Sequence, residues 1–176
     1  TRVRGYRLIG YENRMLAAED FNDDTKDAGD LGAGHTVTVL YEVIPTGVAS
    51  VTPVRGLDDL RYQSTALNTR ATSPELMFVK LRYKDPDGKR SRLLTHTVVD
   101  GTTPPSSDFT FAASVAAFGM VLRDSRYCGG TDMEAILRWA RNSVGDDRQG
   151  YRREFVELVT EAHRLSAVDE SGGVWR

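Results

Sequence analysis

The amino-acid sequence predicts an α+β protein, a mostly antiparallel β-sheet or partial β-sandwich of four to five strands followed by a three-helix bundle. Two observations carry that expectation. Apolar residues alternate with a period of two over several segments before Gly101, whereas beyond Gly101-Thr-Thr-Pro-Pro-Ser-Ser107 they recur about every 3.6 residues. No strand signal returns after that change, so the order is strands first and helices second.

Residues 3–13 (VRGYRLIGYEN) mix Val, Tyr, Leu and Ile with two glycines, which predicts a first strand with a bulge or close backbone approach at Gly5 or Gly10. His35 to Pro45 (HTVTVLYEVIP) carries the strongest strand signal, with Val37, Val39, Tyr41 and Val43 on one face and Leu40 and Ile44 on the other. Apolar residues on both faces predict a central, covered strand. Glu75 to Lys84 and Ser91 to Val99 are expected to form a hairpin across Asp85-Pro86-Asp87-Gly88, in which Pro presets φ and Gly accepts a left-handed conformation. Between Thr46 and Pro74, Leu57 to Tyr62 is the candidate for a short edge strand or helical turn.

Three helices are expected. Asp108 to Arg123 is alanine-rich and almost uncharged, with Phe111, Val115, Phe118 and Leu122 at helical spacing, which predicts a buried central helix. Thr131-Asp132-Met133-Glu134 reads as a capping box for a second helix reaching about Val144, with Met133, Ile136, Leu137 and Ala140 facing inward. The third spans roughly 150–166 with Tyr151, Phe155, Leu158, Val159, Ala162 and Leu165 as its stripe, and the tail from Ala167 is expected to be loosely held. These elements predict a β-rich subdomain at 1–104 and a helical subdomain at 105–176, packed together as one domain.

Composition narrows the function. In this 176-residue chain 23 Lys+Arg oppose 25 Asp+Glu, so no global charge draws it to nucleic acid or an anionic membrane. Arg138, Arg141, Arg148, Arg152 and Arg153 are diluted by Glu154, Glu157 and Glu161, which favours helix-surface ion pairs. No segment approaches the ~20 apolar residues of a membrane span. Cys128 is the single cysteine and has no second thiol for a disulfide or a CxxC motif. The start at Thr1-Arg2-Val3-Arg4, without an initiator methionine and already in strand-like sequence, predicts a fragment of a longer chain.

The densest chemistry lies at Asp20, Asn22, Asp23, Asp24, Asp27 and Asp30, an oxygen-rich loop of the kind that hard cations favour. Its spacing fails the calcium-binding helix–loop–helix pattern, because Thr25 falls where Gly is required and Leu31 where a bidentate Glu is required. The loop is therefore expected to be mainly a solvated, turn-rich segment, and Asp20, Asn22, Asp24 and Asp27 are the candidate ligands for a cation. Gly29, Gly32 and Gly34 fail the dinucleotide fingerprint and run into a strand, not a helix. His35, His96 and His163 lack metal-site spacing, and no nucleophile elbow accompanies the serines. No cofactor and no enzymatic activity are expected. Trp139 is expected in the core, and Trp175 sits in the tail, where an exposed aromatic could serve a partner contact.

The strings GYRLIGYENRMLAAEDFNDDTKDAGDLGAGHTVTVLYEVIP, FVKLRYKDPDGK, DFTFAASVAAFGMVLR and GYRREFVELVTEAHRL, in that order, resemble the uncharacterised C-terminal domain of bacterial YfbK-like proteins over nearly the whole chain. In that family the domain follows a von Willebrand factor type A domain, and the parents are typically exported, often as lipoproteins. The resemblance implies an extracytoplasmic, envelope-associated accessory domain whose partners are the upstream von Willebrand domain of the same polypeptide and an unidentified protein. The parents' metal-ion-dependent adhesion site belongs to that upstream domain, and its DxSxS motif is absent here, so no metal residues carry over. A calcium-stabilised or ligand-binding module using residues 20–30 is the alternative.

Overall fold

The computed structural model describes residues 2–10, 17–26, 29–48, 72–101 and 103–171. Among these residues four strands precede three helices: β1 (Val3–Ile9), a 3-10 helix (Ala18–Asn22), β2 (Leu40–Pro45), β3 (Glu75–Tyr83), β4 (Arg92–Val99), α1 (Ser107–Leu122), α2 (Met133–Asn142) and α3 (Tyr151–Ser171). The fold is α+β. Its compact units are Thr1–Thr102 and Thr103–Arg176. The segment Leu57 to Tyr62 lies outside the described residues.

In the first unit the strands form two antiparallel pairs, β1 with β2 and β3 with β4. β1 opposes Ile9 to Leu40 and Gly5 to Ile44, and its register slips between Val3 and Gly5, the bulge that the glycine foreshadowed. Arg7 and Glu42 sit opposite each other and form an ion pair across the ladder. The expected strand from His35 begins only at Leu40. β1 ends at Ile9, Gly10 follows with φ 77°, and residues 35–39 have no strand partner among the described residues. β2 is also not the covered central strand its sequence predicted. It has a described partner on one edge only, and Val37, Val39 and Tyr41 are exposed.

The β3–β4 hairpin closes as expected, Gly88 N–H donating to the Asp85 carbonyl at 2.8 Å. Gly88 is needed for closeness, not for a left-handed φ. A Cβ there would lie 3.1 Å from the Asp85 carbonyl oxygen and 3.2 Å from its nitrogen, while Gly88 is not among the positive-φ residues. Arg92 braces the turn with an ion pair to Asp85 at 2.9 Å. Ile44 is the only buried apolar side chain among the described residues of this unit.

The helical unit holds the main core. Ala117 and Phe118 of α1, Ile136 and Leu137 of α2, and Val159 of α3 form one buried cluster, with Val121, Met133, Phe155, Val156 and Ala162 packed around it. Phe155 takes edge-to-face positions against Phe111 (5.4 Å) and Phe118 (5.6 Å). Buried hydroxyls are satisfied locally: Ser114 donates to the Phe111 carbonyl at 2.7 Å and Ser143 to that of Trp139 at 2.6 Å. Trp139 itself lies half-exposed at the rim.

The central helix is α2, not α1. α2 packs against both other helices and buries Ile136 and Ala140 completely. α1 turns Ser114, Ala117, Phe118 and Val121 inward and leaves Val115 and Leu122 43% and 61% exposed, so the predicted stripe is rotated. Likewise Phe155, Val159 and Ala162 of α3 face the core as expected, but Tyr151, Leu158 and Leu165 are exposed. α3 continues past the expected end near Ser166, to Ser171.

Helix ends explain the boundaries. Ser106 caps α1 through Phe109 N–H at 3.1 Å. The expected threonine cap of α2 is replaced by its neighbour: Asp132 accepts from Ala135 N–H at 2.7 Å, placing negative charge at the positive helix end. α3 starts from a distance, where Asp147 accepts from the N–H groups of Arg152 (3.1 Å) and Arg153 (3.0 Å). Burial pushes that carboxyl up, but the two N–H bonds together with the charges of Arg153 and Arg152 outweigh burial and hold it below the usual carboxylate range.

At the end of α1, Ser125 N–H reaches the Met120 carbonyl and Asp124 N–H that of Val121, both at 3.0 Å, with Asp124 at φ 50°. This is a Schellman stop with aspartate in the position that favours glycine. Asp124→Gly is expected to raise the melting temperature of the helical unit by a few degrees, about 0.5–1 kcal/mol, measured by circular dichroism at 222 nm. An unchanged or lower value would show that the aspartate side chain compensates for its backbone.

Candidate functional site

Two places in the first unit gather chemistry. The first is the acidic loop, where the backbone folds through successive turns from Ala17 to Lys26. Its carboxylates are engaged by neighbours. Asp20 pairs with Lys26 at 3.3 Å, and Asp23 accepts from both the N–H (2.9 Å) and hydroxyl (2.7 Å) of Thr25, bonds that hold its carboxyl below the usual range. Asp24 accepts from Ser91 N–H at 3.3 Å and lies 3.5 Å from Arg82. Hydrogen bonding from Ser91, then the charges of Arg82 and Lys84, lower its pKa. Lys84 also donates to the Asp24 carbonyl.

Arg82 is the anchor that sequence inspection overlooked. Its guanidinium donates to the Ser91 hydroxyl at 2.7 Å, lies against Asp24 and sits 5.8 Å from the Phe21 ring centroid, so loop and hairpin are joined by charge and by an aromatic face. The only sequence hint was a basic residue two positions beyond Lys80, on a face of the strand that opens with Leu76 and Phe78. Asn22 and Asp30 are exposed, and Asp27 lies outside the described residues. Among the described residues no three His, Cys, Asp or Glu side chains gather where one metal ion could be held. The arrangement acts as a clamp.

Arg82→Met should release it. Amide exchange at residues 23–26 and at Ser91 is expected to accelerate roughly tenfold or more, followed by mass spectrometry, while the helical unit's melting stays put. Equal exchange in both proteins would show that the clamp carries no weight.

The second place is a cavity of ≈ 580 Å³, lined by Val3 to Tyr6 of β1, Tyr41 of β2 and Leu76 to Lys80 of β3. Successive strand side chains point to opposite faces, so a cavity lined by runs of consecutive residues must follow the strand edges. Both runs contain a bulge. Arg4 and Leu76 are the residues skipped in the registers of β1 and β3, and a bulge residue is the one whose side chain is re-aimed. Tyr6 and Tyr41 lie diagonally across the ladder with ring centroids 6.4 Å apart, and Tyr6 is 72% exposed. Phe78 is exposed beside them, with Lys80 Nζ 5.9 Å from its ring centroid.

The described lining includes two cations, Arg4 and Lys80, and no serine, cysteine, histidine or carboxylate. His35 and His96 are exposed and outside it, and His35 N–H is spent on a turn to the Gly32 carbonyl. Cys128 also serves a turn, its carbonyl accepting from Thr131 N–H. Of the late arginines, Arg148 pairs with Asp146, Arg152 with Asp108 and Arg153 with Asp147. Trp175 lies outside the described residues. No helix among them is long and apolar enough to cross a membrane.

These features define a class: an α+β chain of strand pairs with an open aromatic groove, followed by a helical unit with its own core. The chain belongs to the family described as Uncharacterized protein YfbK, C-terminal, whose model matches residues 1–165. It is 39% identical over 169 residues to the Uncharacterized protein YfbK of Escherichia coli (strain K12), a match spanning 96% of this chain and 28% of that relative. The chain thus corresponds to under a third of the relative's length. No solved structure matches it.

Proposed function

We propose that this chain is a non-enzymatic accessory domain of a larger bacterial protein, placed after a von Willebrand factor type A domain and contributing to protein–protein interaction at the cell envelope. The groove between the β1 and β3 runs carries the proposal: it exposes aromatic rings and strand edges, and its described lining holds no serine, cysteine, histidine or carboxylate. The short share of the YfbK relative that the chain spans supports a module within a longer polypeptide. The von Willebrand neighbour, the exported parent and the envelope location rest on the family resemblance.

The acidic loop supports a structural role in preference to calcium binding, since a cation at Asp20 or Asp24 would have to displace Lys26 or Arg82. The test is a pull-down from envelope extracts using the parent protein with and without this domain. Loss of a specific partner on deletion is expected; an identical partner set would overturn the interaction role.

A further inference from the structure

We infer that the groove along β1 and β3 takes an extended peptide that carries both acidic and apolar residues, held by main-chain pairing to a strand edge. This inference rests on the interaction role proposed above and names the chemistry of the partner. An edge strand turns every second residue's N–H and C=O away from its single neighbour, which is a template for another strand. Among the described residues β1 pairs only with β2 and β3 only with β4, so the groove-lining runs each keep one such edge. The volume, ≈ 580 Å³, is within the range of ligand-binding clefts.

Charge selects the occupant. Arg4 and Lys80 are both exposed, and neither has a carboxylate partner among the described residues, unlike Arg2, Arg7, Arg82 and Arg92 of the same unit. Arg4 occupies the bulge of β1, which aims it apart from the ladder's alternation. Carboxylates of an incoming strand would meet these cations and its apolar side chains would meet Tyr6, Tyr41 and Phe78, with Phe78 and Lys80 side by side on one face of β3. A basic peptide would face two like charges.

The test uses the full 176-residue chain. A fluorescein-labelled peptide of four Glu-Val repeats is titrated by fluorescence polarisation, beside one of four Lys-Val repeats and a Glu-Val peptide N-methylated at alternate residues. The Glu-Val peptide is expected to bind saturably and to slow amide exchange at residues 3–6 or 76–80. The Lys-Val and N-methylated peptides are each expected to bind at least roughly tenfold more weakly. In Arg4→Glu/Lys80→Glu the preference should invert, and the N-methylated probe gives an independent answer if that variant folds poorly. Equal affinity for the Glu-Val and Lys-Val peptides, or undiminished binding of the N-methylated one, overturns the inference. So does self-association of the chain through these edges, seen by sedimentation and abolished by the double variant. A partner lost on domain deletion without any peptide bound in the groove would leave the interaction role standing and remove this site. Peptide binding with an unchanged partner set would do the reverse.

Discussion

Replacing Ile136 by alanine should lower the stability of the helical unit by about 3–4 kcal/mol. Ile136 is 0% exposed on the central helix, and its side chain stands within the cluster formed by Phe118, Leu137 and Val159. Truncation removes apolar surface that all three helices share and leaves a cavity that the neighbouring rings can fill only in part. For a unit of this size the loss corresponds to roughly 20 °C in melting temperature, read from the 222 nm signal. Leu158→Ala is the control. That leucine lies on the same bundle but is exposed, so its loss should change stability by less than about 0.5 kcal/mol. Similar shifts for the two variants would mean that the core lies on the other side of α3.

The second large effect is expected at Arg152, which joins the three helices at one end of the bundle. Its guanidinium pairs with Asp108 at the start of α1, donates to the Ser143 carbonyl at the end of α2 at 3.0 Å, and lies 4.8 Å from the Phe111 ring centroid. The Ser143 contact places positive charge at the negative end of a helix. Arg152→Met keeps an apolar chain near Phe111 but removes the charge-assisted hydrogen bonds, an expected cost of roughly 2 kcal/mol. Arg152→Lys should recover less than half of that, because an ammonium cannot reproduce the planar fork that reaches two acceptors. Exposed Arg138 on α2 serves as the control, and its methionine variant is expected to melt within about 0.5 kcal/mol of the parent. If Arg152→Met and Arg138→Met behave alike, the Arg152 contacts are solvated and contribute nothing measurable.

Arg152 also shows where residue-by-residue inspection stops. In sequence it is one of several helical arginines, and the favoured expectation was surface ion pairing. Its main partners, however, are 44 and 9 residues away, and only packing brings them within reach. Arg82 is a parallel case, with Asp24 distant in sequence and the Phe21 ring brought over it by the loop. The cavity was equally hidden, since it depends on two strand edges separated by about seventy residues of sequence. Only Gly5 hinted at it, through the bulge.

What the amino-acid sequence determined by itself was local and periodic: strands before helices, the Asp85–Gly88 turn, a cap before Met133 and the inward face of α2. Each depends on neighbours within a few residues, where steric preference and hydrogen bonding act without the rest of the chain. The family could also be recognised there, from strings spread along nearly the whole length. The tertiary structure alone decided which side of α1 enters the core, because that helix is apolar around most of its circumference and periodicity cannot choose between two apolar faces. It decided too that β2 begins only at Leu40, opposite Ile9, and stays partly uncovered among the described residues. The acidic loop became a clamp for the same reason: its carboxylates acquired a role only when Arg82 and Ser91 were brought beside Asp24.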